Sequence, residues 1–247
     1  MAAERERREL LINVVAGLLD GIRHVAVGAS SPIPAAGAML LRARSELEGK
    51  PPVRISILGS QEHNFFTNGA IELFDCAAQG RVDAFFLGGG QIDGAGNINL
   101  VGTGAYPKSD VRWPGSFGSA YLYHLVPRVI LFREEHSPRV FVPKVDFVSA
   151  AATTPEVKRR GGPYALLTNM ALFDFDRSRG GFALRSVHPG YSSSDVRSQT
   201  GFDYVEPPVV PATPLPDAQT LELLRGRVMR ELAETYPAFA RTMLQAA

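Results

Sequence analysis

Charged side chains alternate with Leu10, Leu11, Val14, Val15, Leu18 and Leu19 between residues 4 and 20. That i, i+3, i+4, i+7 spacing draws one apolar stripe along a helix, and Gly21 ends it. Arg23 to Gly28 then reads as a short strand, Ser30 to Pro34 as a turn and Ala35 to Leu47 as a helix rich in alanine and leucine. The cycle repeats with a strand over Val53 to Leu58, a helix over Ile71 to Ala78 and a strand over Val82 to Leu87. Further apolar runs predict strands at Val126–Phe132, Arg139–Val142, Phe147–Ser149, Ala165–Asn169, Leu172–Asp174 and Phe182–Val187. The proline-rich stretch from Val205 to Pro216 excludes a helix and predicts an extended strap (about 205–216). A terminal helix is expected within Thr213 to Ala240, with Asp217 as N-cap and Leu221, Leu224, Val228 and Leu232 on its apolar face. Strands alternating with helices at this spacing predict an α/β protein whose mostly parallel sheet is covered on both faces, with ligands at the loops after the strands.

Composition narrows the functional classes. A chain of 247 residues that is 45% apolar can bury a sizeable core. With no repeat or clear linker, residues 1–247 are expected to form one domain. A net charge of +1 gives no bulk attraction to nucleic acid or to an acidic membrane. The short basic cluster Lys158–Arg159–Arg160 reads as a solvated loop. Cys76 is the single cysteine, which excludes an intramolecular disulfide and a cysteine-built zinc site and fits a reducing cytoplasm. It sits in a helical stretch without a neighbouring histidine and reads as a packing residue. The mixed-charge amino terminus leads into no long apolar run, so neither a signal peptide nor a membrane span is expected there.

Candidate chemistry gathers in the loops. Phe85–Phe86–Leu87 runs straight into Gly88–Gly89–Gly90–Gln91–Ile92–Asp93–Gly94–Ala95–Gly96–Asn97–Ile98–Asn99. Glycines let backbone N–H groups converge on an anion or a carbonyl oxygen, while Gln91, Asp93, Asn97 and Asn99 crowd the same loop with short polar groups. Val27 to Pro32 is another strand-to-helix junction of a kind common to α/β proteins. Leu58–Gly59–Ser60–Gln61–Glu62–His63 follows a predicted strand and carries two groups suited to nucleophilic or acid–base work, although a polar loop facing water fits equally. The small-residue loop Trp113–Pro114–Gly115–Ser116–Phe117–Gly118–Ser119 opens a helix, and its amides could stabilise a developing oxyanion. His188–Pro189–Gly190 reads as a turn whose ring is tied to backbone. Asp174 and Asp176 share a strand face but are too few for a metal site. The chain carries neither the phosphate-loop lysine motif nor a Gly-x-Ser-x-Gly elbow.

Five segments in order, Gly88–Asn99, Trp113–Ser116, Phe141–Val148, Thr168–Phe175 and Ser186–Gly190, resemble the beta-type (B) chain of class I coenzyme A transferases, in particular the glutaconate CoA-transferase branch. The resemblance spans roughly residues 20 to 205. It implies the three-layer α/β/α CoA-transferase fold, a homologous alpha-type subunit as partner in a heterodimer or larger heteromer, and a small-molecule acyl-CoA as substrate. Coenzyme A would enter as a substrate thioester, with no permanently bound cofactor or metal.

In such transferases a glutamate of the beta-type chain attacks the acyl-CoA carbonyl. Here Gly59 stands where alignment by eye puts that nucleophile, and Glu62, three residues on, takes its place only if the loop folds back. Loops equivalent to Gly115–Ala120 often show paired glycines at the Gly118–Ser119 position, a second departure. The resemblance implies that Gly88, Gly89 and Gly90 shape an acyl or CoA pocket, Gln91, Asp93 and Asn97 hold the loop, and Gly115, Ser116, Gly118 and Ser119 approach the thioester. A beta-type chain without that glutamate is also similar to the cholesterol ring-cleaving hydrolase of the family, in which the alpha subunit supplies the carboxylate. A non-catalytic CoA-ester-binding or scaffold subunit is the third expectation.

Overall fold

The structure, a computed structural model, describes residues 2–153 and 159–245. Its residues gather into two compact units, Met1–Phe86 with Pro214–Ala247, and Leu87–Thr213. Each is built around its own strands.

In the first unit α1 (Ala2–Leu18), β1 (His24–Val27), α2 (Pro32–Leu47), β2 (Arg54–Ile57), α3 (Gly69–Ala78) and β3 (Ala84–Leu87) follow one another. β1 lies between β2 and β3, parallel to both, with His24 opposite Arg54 and Val25 opposite Ala84. All of β1 is buried, as a parallel strand covered on two faces must be. Leu11, Ile12 and Val15 of α1 and Met39 and Leu40 of α2 are buried. Each fully buried side chain of this size contributes roughly 1.5–3 kcal/mol through removal of apolar surface from water. α2 starts at Pro32, three residues before the predicted start. Proline lacks an N–H, but the first helical turn needs none, so Pro32 and Pro34 fit there.

The expected terminal helix is interrupted. Asp217 does cap it, accepting the Thr220 N–H at 2.8 Å, but helix runs over Ala218–Leu223, widens into a π-helical turn at Leu224–Val228 and stops after Met229–Leu232; a separate helix occupies Pro237–Gln245. Pro237 begins that helix for the reason that Pro32 begins α2.

In the second unit β4 (Gln91–Ile92) and β5 (Ile98–Asn99) form a small hairpin, as do β6 (Gly102–Thr103) and β7 (Val111–Arg112). α4 (Ser119–Leu125) leads to β8 (Arg128–Arg133), which pairs parallel with β9 (Pro163–Thr168). β10 (Ala171–Asp176) and β11 (Gly181–Val187) continue antiparallel, and α5 (Ser193–Gln199) follows. The predicted strands at 139–142 and 147–149 are absent. Phe141 and Ala150 instead make single bridges to Ile92 and Ile98, so these segments brace the hairpin. The proline-rich strap runs extended beside β11, where Val187 N–H donates to Pro211 O and Thr213 N–H to Val187 O.

Of the basic cluster, Lys158 lies outside the described residues. Its neighbours are not simply solvated: Arg159 Nη1 donates to Ala151 O at 2.8 Å and Arg160 Nε to Leu125 O at 3.0 Å. No helix among the described residues is long and apolar enough to cross a membrane.

Candidate functional site

In the first unit the loop after β2 folds back on itself. Ser60 N–H donates to Ile57 O at 3.2 Å and Ile57 N–H to His63 O at 2.9 Å. Gly59 makes the turn at φ +91°, a left-handed conformation that a glutamate would occupy only with strain. Glu62 follows with an exposed side chain.

A second carboxylate meets this loop from the C-terminal segment. Glu234 Oε2 accepts the Ser60 hydroxyl at 2.7 Å and Oε1 accepts Gln61 N–H at 2.8 Å. Desolvation pushes the Glu234 pKa up, but hydrogen bonds from Thr235, Ser60 and the amides of Gln61 and Glu62 outweigh it, and the net direction is down. Glu231 holds the Arg42 guanidinium and lies 3.0 Å from His63 Nε2. Burial and the nearby Arg42 charge lower the His63 pKa, which leaves its imidazole neutral at pH 7. Tyr236 Oη completes the cover, accepting Ser31 N–H at 3.3 Å from the loop after β1. No local pattern announces these partners: 174 positions separate Ser60 from Glu234.

In the second unit the polar side chains of the glycine loop are engaged internally. Asp93, 4% exposed, closes the β4–β5 turn by accepting the N–H groups of Ala95 at 3.1 Å and Asn97 at 3.0 Å and the Asn97 Nδ2–H at 3.2 Å. Gln91 Oε1 accepts Asn99 Nδ2–H at 2.7 Å and Asp146 N–H at 3.0 Å, while its Nε2 donates to Asp146 Oδ2 at 3.1 Å. Asn97 Oδ1 accepts Ala152 N–H at 3.3 Å. Asp146, which sequence reasoning left out, also accepts Gly104 N–H at 2.9 Å and so joins the two hairpins.

The glycines themselves permit close packing. A Cβ on Gly90 would overlap the Trp113 indole, and one on Gly89 would press on Gln91 O and Ile92; Gly88 faces Phe132 O. The two loops singled out from sequence therefore meet. Trp113 N–H donates to Val101 O at 2.9 Å and Gly115 N–H to Leu100 O at 3.1 Å. Tyr123 of α4 donates its buried hydroxyl to Gly96 O at 2.6 Å.

Within the second loop Ser116 O accepts Ser119 N–H at 2.8 Å and Gly118 O accepts Leu122 N–H at 3.1 Å. The amides of Gly115 and Ser119 already have partners, which narrows the donors left for an oxyanion. A depression of about 430 Å³ opens at the tip of the β4–β5 hairpin, between Asp93, Gly94, Lys144 and Phe202.

His188 is tied down as expected, its Nε2 donating to Thr168 O at 3.0 Å and its Nδ1 lying 2.8 Å from Thr213 Oγ1. His136 bridges Thr168 and Thr200 at 2.8 and 2.9 Å. Burial lowers the pKa of both to about 4, and the neighbouring His188 adds to the effect at His136.

Comparison with known proteins places this geometry. The B-type chain of the 3-oxoadipate CoA-transferase of Pseudomonas knackmussii is 30% identical over 161 residues, 62% of each chain. The IpdB chain of the cholesterol ring-cleaving hydrolase of Mycobacterium tuberculosis is 29% identical over 161 residues, 62% of this chain and 63% of the relative. The chain thus matches less than two thirds of the length of these relatives. Among solved structures, glutaconate coenzyme A-transferase from Acidaminococcus fermentans superposes with a TM-score of 0.75 at 21% identity, over 89% of this chain and 93% of the other. The fold is accordingly the α/β fold of CoA-transferases, with a mostly parallel central sheet and flanking helices. Residues 58–199, from the end of β2 to α5, match the Coenzyme A transferase family, and the chain belongs to that family.

Proposed function

We propose that this chain is the beta-type subunit of a heteromeric CoA-transferase, active with an alpha-type partner in the cytoplasm on acyl-CoA thioesters. The family match over residues 58–199 carries this reading, and the interlocked loops at Gly88–Asn99 and Trp113–Ser119 support it. In the proposed reaction Glu62 attacks the thioester carbonyl and expels the CoA thiolate, leaving an acyl–glutamyl anhydride. The thiolate then attacks the glutamyl carbonyl, releasing the first carboxylate. An acceptor carboxylate attacks the resulting enzyme thioester, again expelling thiolate, and the thiolate closes the cycle on the new acyl group. The fold-back of this loop, closed by the Ile57 N–H to His63 O hydrogen bond, supports Glu62 standing in for a side chain at Gly59. Gly88, Gly89, Gly90, Gly115, Ser116, Gly118 and Ser119 would border the thioester, with Gln91, Asp93 and Asn97 fixing the loop.

A second reading is favoured by Gly59 itself: at φ +91° with no side chain, it suits a CoA-thioester hydrolase whose catalytic glutamate sits on the alpha subunit. One experiment separates the readings. The chain is co-expressed with an alpha-type subunit, treated with acyl-CoA and trapped with hydroxylamine. The first reading predicts a hydroxamate on Glu62, lost with CoA exchange in Glu62→Ala. Full CoA exchange in Glu62→Ala excludes it. Water-dependent loss of substrate without acid-to-acid transfer supports the hydrolase. Absence of any CoA-ester affinity leaves a scaffold role.

A further inference from the structure

Three parallel strands that start along one edge bring their first residues together. At the amino ends of β1, β2 and β3, opposite to the loops at Gly28 and Gly59, a cavity of about 280 Å³ opens between Arg23, His24, Arg54, Phe65, Phe66, Glu72, Cys76, Arg81 and Asp83. Its size stands just below the ~300–1,000 Å³ common for small-ligand sites.

The charges there are unevenly matched. Asp83 is held by Arg23, whose Nη2 donates to Oδ1 at 2.8 Å, and by the N–H groups of Arg23 and His24. Glu72 is drawn away to Thr67, accepting its N–H at 2.7 Å and its hydroxyl at 2.8 Å. Arg54 and Arg81 remain: no carboxylate of the described residues pairs directly with either, although Arg81 Nη1 donates to Gln79 Oε1 at 3.4 Å and the Arg81 charge is felt at Glu72. The Arg54 guanidinium sits 5.0 Å above the Phe65 ring, a cation–π contact that orients the fork without neutralising it.

The floor is fixed and uncharged. His24 Nδ1 donates to Arg81 O at 2.8 Å, and Nε2 lies 2.8 Å from Ser56 Oγ. With burial first and the Arg54 and Arg81 charges adding, its pKa falls below the ordinary histidine value. Phe66, 6% exposed, and Cys76, 8% exposed, supply an apolar wall.

We propose that this cavity binds a small organic carboxylate with an apolar body, its carboxylate between Arg54 and Arg81 and its body against Phe66 and Cys76. Planar guanidinium groups match a carboxylate in charge and in the spacing of their donors, and the apolar wall distinguishes such a ligand from an inorganic anion. The site is separate from the Gly59–His63 loop and does not depend on the reaction proposed above.

The test is a titration of the full chain, as the complex with its alpha-type partner where the two purify together, with benzoate, benzamide and inorganic phosphate. It is followed by calorimetry and by the His24 imidazole proton resonances. Saturable benzoate binding that shifts the His24 signals is expected. Arg54→Gln with Arg81→Gln should weaken it about tenfold or more, and benzamide should bind far more weakly. Both arginines are exposed, and circular dichroism is used to check that the double variant is folded; Phe66→Leu, which keeps both charges, should weaken benzoate without affecting phosphate. No saturable benzoate binding, unchanged affinity in the double variant, or phosphate binding as tightly as benzoate overturns the proposal.

Discussion

Ser60 Oγ donates to Glu234 Oε2 at 2.7 Å across 174 positions of sequence, so the loop that carries Gly59 and Glu62 is held by a carboxylate from the far end of the chain. Ser60 also uses its oxygen locally, accepting His63 N–H at 2.9 Å. Removing the acceptor frees the Ser60 hydroxyl and the Gln61 amide from the C-terminal segment. Glu234→Ala is expected to cost about 1–2 kcal/mol, the range for losing hydrogen bonds to a charged group that water partly replaces. The Gln61 and Glu62 amides should then exchange hydrogen faster than in the parent, with Glu234→Gln intermediate. Unchanged protection of these amides would show that the loop holds its shape alone.

The contact between Gly90 and Trp113 gives a steric prediction. A methyl group at Gly90 has no room beneath the indole, so Gly90→Ala should destabilise by about 1–3 kcal/mol, as overpacking does. Shortening the ring in Gly90→Ala/Trp113→Leu should recover part of that loss, and a denaturant-based double-mutant cycle reads the coupling. Additive effects would mean that the two loops do not pack as described.

The buried Asp93 carboxylate closes its hairpin turn through part-buried hydrogen bonds from the Ala95 and Asn97 amides. Asp93→Ala leaves those part-buried donors without their acceptor, and a loss of about 1–3 kcal/mol is expected. The midpoint of urea unfolding measures it, and a change below ~0.5 kcal/mol, the size of an ordinary surface substitution, would contradict the buried role.

Two buried histidines set an acid limit. His136 and His188 have pKa values of about 4 in the fold and close to the ordinary ~6.5 when unfolded. Between these values the unfolded chain binds more protons, so stability falls as pH drops from about 6.5 toward 4 and is flat with respect to these groups above 6.5. The loss is on the order of 3 kcal/mol for each histidine. His136→Gln should flatten the pH dependence of the melting temperature over that window; an unchanged slope would assign the acid limit to other groups.

Much of the fold was legible because apolar periodicity is a local property. Val25, Ala26 and Val27, and likewise Phe85 to Leu87, are buried runs bounded by turn residues, and β1 and β3 lie there. Helix ends were less legible where proline signalled both a break and a start: Pro32 opens α2 and Pro237 opens the last helix. The segments at Arg139–Val142 and Phe147–Ser149 have strand-like composition, yet a strand needs a partner along its length, and bridges form only at Phe141 and at Ala150, just past the second segment.

The glycine-rich loop, its amide side chains and its family resemblance were fixed by the order of residues alone, since five motifs in sequence need no coordinates to be read. Tertiary structure decided how they are used. Hydrogen-bond geometry commits Gln91, Asp93 and Asn97 to the loop itself, the Trp113 indole explains why Gly90 has no side chain, and chain folding brings Glu234 to Ser60 and gathers Arg54 and Arg81 around one cavity. Contacts between residues far apart in sequence depend on the path of the backbone, and no local pattern encodes that path.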